Sequence, residues 1–375
     1  MTSDAWGVQK VSLPHSLFHG MFTFDVPQTK WMMYENNVQV YTSTRAVSEN
    51  GAGKIAADAT VTSTLVESRV CPRYQPNRGH LFSNACWAPS KTAAAVREWG
   101  VATAENGVLF RLKSDGLLYA VLYSGGVQKY EQLIDVSGLT NFNVEAGNVY
   151  DIQYQWRGVG NYKFFINLKL VHEFDHLGTL TALSMENPAL PVHLHTEYLG
   201  DPAALYVGCV DITSENGLTE DLEYGSAFAT NVATVTNTPI IVIKQPLLIG
   251  GKTNTRDLSL SRISFSCSKK AVFRVWTTRD VTAFTGGTFQ SVNSGSFVEC
   301  DSPDMNPAAA RVTAVDLTKL RAVTAVPVEA AVPREVTNPM PESIVFPIVR
   351  GDYVVVTCTA ATATSDVVVE WGEQI

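Results

Sequence analysis

Charged side chains are scarce in this sequence. They make up 17% of its 375 residues, against the usual quarter. Lys and Arg number 28 and Asp and Glu 36, a formal net charge of −8, and no basic cluster offsets it. That argues against a nucleic-acid partner, whose binding rests on concentrated positive charge. No apolar run approaches the roughly 20 residues that a membrane span needs, so no membrane partner is expected. The first residues lack a basic stretch followed by an apolar core, so no secretion signal is read, and a soluble product of the cytoplasm is expected. Cysteine is sparse too. The six, Cys71, Cys86, Cys209, Cys267, Cys300 and Cys358, lie far apart, with no CxxC pair and no ligand-like spacing. In a chain of this size they read as free thiols, with Cys209, Cys267 and Cys358 buried in strands, rather than as a disulfide framework.

Catalytic signatures are equally thin. There is no GxSxG, no Walker loop and no GxGxxG opening a helix after a strand. Gly158-Val159-Gly160 is too short to cradle a phosphate. Asp and Glu residues are scattered, so no carboxylate pair for glycoside cleavage stands out. These absences leave no catalytic residue and no cofactor site to nominate.

What the sequence does contain is alternation. Gly, Thr, Val, Ser and aromatic residues are common while Glu- and Lys-rich helical windows are few, the make-up of an all-β protein. Short apolar runs recur every eight to twelve residues with turn residues between them, the spacing of sandwiches and barrels. Ser114-Asp115-Gly116 between Gly107–Leu112 and Leu117–Tyr123 predicts a hairpin. Val149, Ile152, Tyr154 and Trp156 are large, and from 152 to 156 the residues between them, Gln153 and Gln155, are polar, the alternation of a strand with one side buried. Arg157 to Asn161 turns the chain, Tyr162 to Val171 returns it, and Val192 to Tyr198 alternates again. The expected fold is two β-sandwich (jelly-roll-like) domains with an extended N-terminal arm. The arm covers residues 1–35, the first sandwich 36–212, a polar linker 213–238, and a smaller sandwich 239–375. The proline-rich stretch 303–342 reads as a long loop.

Three groups of side chains attract attention. His172-Glu173-Phe174-Asp175-His176 spells HExxH, with Glu197 downstream as a conceivable third ligand. Zinc peptidases need the two histidines one helical turn apart and the Glu at the metal-bound water. Here the motif follows Phe, Ile, Leu and Val, so a strand end is expected and no metal is assigned. His193 and His195 share one side of a strand and, with His172, could suggest a metal cluster; the alternating pattern favours solvent-facing residues. The arm carries Trp6, Phe18, Phe22 and Phe24 with no regular period. Aromatic side chains are favoured interface anchors, so these four are expected to contact another subunit or a partner protein.

Several stretches together carry a family resemblance. They are Arg73-Tyr74-Gln75-Pro76-Asn77-Arg78-Gly79, Thr103 to Phe110, Gln155-Trp156-Arg157-Gly158-Val159-Gly160, the HExxH run, Asn187-Pro188-Ala189-Leu190-Pro191 and Val367-Val368-Val369-Glu370-Trp371. In this order they resemble tailed-bacteriophage virion structural proteins whose sandwich domain is of the concanavalin/laminin-G type. The resemblance spans most of residues 70–375. It implies a non-enzymatic component of a phage virion, forming a symmetric homo-oligomer with other virion proteins at the tail, baseplate or fibre attachment. A head decoration or capsid-fibre protein is the alternative within that class. By fold analogy, a carbohydrate-binding receptor module contacting a surface glycan is another, and a zinc peptidase a more distant one.

Overall fold

A computed structural model of the chain describes residues 14–74, 79–155, 161–175, 184–215, 222–233, 238–249, 251–255, 258–286, 289–291, 299–301, 312–329, 333–337, 350–359 and 363–374. Among the described residues the regular structure is strand, apart from short 3-10 turns at Val281–Ala283 and Leu317–Lys319. The all-β, jelly-roll-like sandwich expected from composition and alternation is the fold. The chain divides into two compact units, Met1–Thr219 and Glu220–Ile375.

The described residues of the first unit form sixteen strands: β1 (Pro14–Met21), β2 (Trp31–Glu35), β3 (Val38–Val40), β4 (Ala46–Glu49), β5 (Ala52–Ala57), β6 (Ser63–Ser68), β7 (His80–Trp87), β8 (Ala95–Ala102), β9 (Gly107–Leu112), β10 (Leu118–Ser124), β11 (Val127–Leu133), β12 (Asn148–Gln155), β13 (Asn161–Ile166), β14 (Lys169–Phe174), β15 (Val192–Tyr198) and β16 (Ala203–Glu215). They form two eight-stranded sheets. One has the order β14-β13-β12-β7-β16-β5-β4, with β1 also on β16; the other has the order β11-β10-β9-β8-β15-β6-β2-β3. Alternate residues point to the same side of a strand; most buried apolar residues share one core between the sheets, and Ala102, Leu109 and Val121 form a smaller cluster of their own. Trp99 and Phe110 from one sheet meet Tyr150 and Phe164 from the other, with ring centroids 5.0 to 5.9 Å apart. Aromatic pairs of this kind are worth about 0.5–1.5 kcal/mol each beyond the area they bury.

Residues 14–35, the described part of the expected arm, are built into the two sheets. Pro14 to Met21 pair with Glu215 to Cys209 of β16, and β2 pairs with β6 in the other sheet. Phe18 is 6% exposed and Phe22 fully buried, and both pack on the buried Trp31 ring at 5.2 and 4.8 Å. Phe18 and Phe22 therefore belong to the chain's own core instead of a partner contact. The irregular register between Ser16 and Phe18 hides the period of two. Phe24 is 94% exposed, and Trp6 lies outside the described residues.

Other differences have equally local causes. The run Tyr162 to Val171, expected as one strand, is a hairpin of β13 and β14. Its turn residues Asn167 and Leu168 have φ of +50° and +67°, the left-handed pair of a two-residue turn that usually carries Gly. Residues 213–238 are not simply a linker: β16 continues to Glu215, and Leu222–Ala233 is a strand of the second unit. Within the proline-rich stretch, Val312–Val315, Arg321–Val328 and Arg334–Thr337 are strands. Pro327 is tolerated because Arg321–Val328 lies at a sheet edge, where a missing N–H costs no ladder bond. Cys71, Cys86, Cys267 and Cys358 are buried, as expected for Cys267 and Cys358, but Cys209 is exposed. A bulge between Val207 and Cys209 turns it away from the core, as an inserted residue does.

The second unit has its own core, including Ile263, Phe273, Val356, Val369 and Trp371. A four-stranded and a six-stranded sheet enclose it.

Two stability measurements follow from this fold. Leu168 is 85% exposed and sits where a side chain costs about 1 kcal/mol or more. Leu168→Gly is expected to raise the unfolding free energy by about 1 kcal/mol in denaturant titration. An unchanged or lowered midpoint contradicts the turn geometry. His80 is 1% exposed, with Nδ1 3.2 Å from the Tyr154 hydroxyl. Burial lowers its imidazole from the ordinary 6.5 to about 4. The unfolded chain takes up this proton near 6.5 and the folded chain only near 4, so this stability is complete above pH 6.5 and is lost as pH falls towards 4. The loss amounts to about 3 kcal/mol. His80→Gln should flatten the stability profile across that window; an unchanged slope would assign the acid sensitivity elsewhere.

Candidate functional site: a groove on one sheet and a charged row on the other

With the inner faces filled, the outward faces carry the remaining chemistry. On the first sheet, β4, β5 and β16 border a groove of about 350 Å³, a size that suits a small ligand. Cross-strand pairing aligns Val47 with Lys54, Lys54 with Tyr206, and Tyr206 with Trp87. Ala56 and Ala204 leave room beside them. Tyr206 and Trp87 stack at 5.2 Å and 9°. The Tyr206 hydroxyl donates to Glu49 Oε1 at 2.9 Å, and Lys54 Nζ donates to Glu49 Oε2 at 2.8 Å. Arg45 pairs with Asp58 at 2.5 Å. The hydrogen bonds from Lys54 and Tyr206 hold the Glu49 carboxyl below its ordinary range. Backbone N–H groups of Val61 and Thr60 do the same for Asp58.

One wall of the groove, Pro89 and Ser90, is fixed from inside. Arg97 is fully buried and donates from Nη1 to the carbonyls of Pro89 and Ser90 at 2.9 and 3.1 Å, and from Nη2 to that of Lys91 at 3.1 Å. Burial lowers its guanidinium to about 10, so it remains charged at neutral pH. Sequence reasoning missed this groove, because its side chains come from segments more than 150 residues apart.

On the second sheet, the outward positions of β6, β15, β8 and β9 bring opposite charges together. Pairing sets His193 opposite Glu67, His195 opposite Glu98, and Glu98 opposite Arg111. His195 Nδ1 lies 3.2 Å and His193 Nε2 3.7 Å from Glu98 Oε2. Glu98 Oε1 accepts from Arg111 Nε at 2.6 Å. Arg111 Nη1 donates to Glu131 Oε1 at 2.8 Å, and Lys113 Nζ to Glu131 Oε2 at 2.5 Å. On the other side, His193 Nδ1 lies 3.8 Å from Glu67 Oε1, and His195 Nε2 is 3.1 Å from Ser63 Oγ.

Burial alone would raise the Glu98 carboxyl. His193, His195 and Arg111 outweigh it and hold Glu98 well below the usual carboxylate range. Burial alone would lower His193, but Glu67 and Glu98 on its two sides raise it to about 9. At 3.7 and 3.8 Å those contacts are ion pairs, and neither His193 ring nitrogen makes a hydrogen bond. The solvent-facing setting expected for these histidines is therefore corrected. The side chains of His193 and His195 are only 11% and 17% exposed. Their strand is central in its sheet, so neighbours on both sides cover them.

The other candidate ligands do not join this cluster. His172 and Glu173 lie on β14, in the opposite sheet, as the strand reading of that motif expected. His172 packs edge-on to Phe174 at 4.5 Å, and Glu173 faces Lys163 at 3.4 Å. His176 and Trp156 lie outside the described residues. Glu197 is on β15 but exposed.

No family model and no curated protein matches the chain. Solved structures do. An endo-acting O-glycanase of the human gut microbiota is 14% identical, covering 54% of this chain and 100% of its own, with a TM-score of 0.41. An endo-1,3-β-glucanase from Streptomyces sioyaensis is 12% identical, over 54% and 97% of the two chains, with a TM-score of 0.42. An endo-β-1,3-glucanase from Pyrococcus furiosus is 12% identical, over 55% and 97%, with a TM-score of 0.44. These likenesses concern the fold. They are to glycan-cleaving enzymes, where the sequence led us to expect a non-enzymatic virion structural protein. That expectation, with its exclusion of an enzyme, is withdrawn.

Proposed function

We propose that the first unit is carbohydrate-directed and engages a glycan in the groove bordered by β4, β5 and β16. The observation that carries this reading is the lining itself. An aromatic ring, Tyr206, lies beside two charged pairs, Lys54–Glu49 and Arg45–Asp58, above small alanines. A sugar presents apolar C–H faces and a rim of hydroxyls that both donate and accept. The ring offers an apolar surface with a polar tip, and the charged pairs offer donors and acceptors held in place by one another. An acidic or purely apolar ligand would match this mixture less well. The buried Arg97 keeps the Pro89–Ser90 wall in position, so little ordering is required when a ligand enters.

The test is a glycan array followed by titration of the full chain with β-1,3-glucan oligosaccharides and mucin-type O-glycans, the glycans named for the similar folds. Binding of at least one is expected, and Tyr206→Ala should weaken it about tenfold, equivalent to roughly 1.4 kcal/mol. A reducing-end assay on the bound glycan establishes whether it is also cleaved. Absence of binding, or binding indifferent to both Tyr206→Ala and Lys54→Ala, would refute the assignment.

A further inference from the structure

The charged row on the second sheet lies on other strands than the groove. Among its members, Glu98, His193 and His195 each offer one ligand atom, and these atoms all lie within 4.8 Å of one another. For ligands at about 2.0–2.2 Å from a tetrahedral zinc ion, geometry places the donor atoms roughly 3.4 Å apart. The separations from Glu98 Oε2, 3.2 Å to His195 Nδ1 and 3.7 Å to His193 Nε2, bracket that value. Two imidazoles and one carboxylate form a donor set typical of a zinc site with one open position.

The surroundings of these three residues point the same way. A metal-binding histidine usually directs its other ring nitrogen to a carboxylate or another polar group, which fixes the ring and the tautomer. His193 directs Nδ1 towards Glu67 Oε1 at 3.8 Å, and His195 directs Nε2 towards Ser63 Oγ at 3.1 Å. Glu98 keeps Oε2 for the histidines while Oε1 accepts from Arg111. His195 and Glu98 are thus each oriented by a hydrogen bond through the atom not facing their companions, and His193 by the charge of Glu67. The strand register produces this arrangement, since His193 and His195 are two residues apart on β15 and Glu98 is directly opposite His195 on β8. His193 Nε2, buried without a hydrogen bond, is the atom whose bonding capacity a cation would satisfy.

We propose that Glu98, His193 and His195 form a binding site for a zinc-like divalent cation, with Glu67, Ser63 and Arg111 as positioning residues. A divalent cation there takes one ligand atom from each of the three residues. The site is distinct from the HExxH segment, whose His172 lies in the opposite sheet.

The experiment uses the full chain, stripped with chelator and dialysed, and titrates it with zinc chloride alone by calorimetry. One zinc per chain is expected, together with an increase in thermal unfolding temperature. His195→Gln and Glu98→Gln should each weaken binding at least tenfold. Ser63→Ala, a mild change beside a ligand, should weaken it without altering the stoichiometry. His172→Ala should leave binding intact. Unfolding curves recorded in chelator show whether each variant is folded, so a lost site is distinguished from a lost fold. Absence of zinc binding by the wild type would overturn the proposal and leave the row as an ion-pair network. So would binding that survives His195→Gln and Glu98→Gln in folded protein, or binding abolished by His172→Ala.

Discussion

The contact between the two sheets' inner faces is the constraint on which the first unit depends. Trp99, Phe110, Tyr150 and Phe164 form a continuous aromatic group across it, each fully buried. Because the side-chain period of a strand is two, a slip of one residue would move an entire strand's apolar set to the outside. Fixing Trp99 inward therefore fixes Glu98 outward, and fixing Leu194 inward fixes His193 and His195 outward. The alternation that makes the core also places the charged row. The pairing of β15 with β8 brings histidine and carboxylate within contact distance.

The sequence carried much of this fold. Composition and period identified an all-β chain, and the Asp115-Gly116 turn between β9 and β10 was visible because Gly116 has the positive φ that the turn requires. What was missed lacks a local signal. The turn at Asn167 and Leu168 contains no glycine, and β1 has an irregular register that blurs its alternation. The proline-bearing edge strand contradicts the general rule for Pro and is permitted only by its position in the sheet. Burial of Phe18 and Phe22 on Trp31 could not be read from an aperiodic segment, because the partner ring follows a turn and belongs to the opposite sheet.

The candidate sites were legible only in fragments. His193 and His195 were recognisable as neighbours on one side of a strand, but Glu98 and Glu67 are their partners only through pairing across roughly 100 residues of chain or more. Conversely, HExxH was conspicuous as a string and dispersed as geometry. Consecutive residues of a strand point to opposite sides, so His172 packs on Phe174 while Glu173 turns to Lys163. The groove had no sequence signature at all, since it depends on which strands meet, and Arg97 stabilises its wall through carbonyl oxygens that any residue can supply.

A charged row on a sheet face is an expensive way to stabilise a fold. Taking ions out of water costs several kcal/mol each, and well-packed apolar residues of similar volume often do as well or better. Here the cost is limited by alternation of sign: Glu67, His193, Glu98, Arg111 and Glu131 form successive ion pairs from β6 through β15, β8 and β9 to β11, the last pair reaching past β10. Most members have more than one opposite charge within reach: Glu98 faces His193, His195 and Arg111, and Glu131 faces Arg111 and Lys113. The member between Glu67 and Glu98 is an imidazole, a side chain that can pair with carboxylates or ligate a metal ion, whereas Lys or Arg in that position could only pair. The row lies on the outward face of its sheet, while the inward face is mainly apolar, with Arg97 and Thr196 as buried polar members that bond backbone carbonyls.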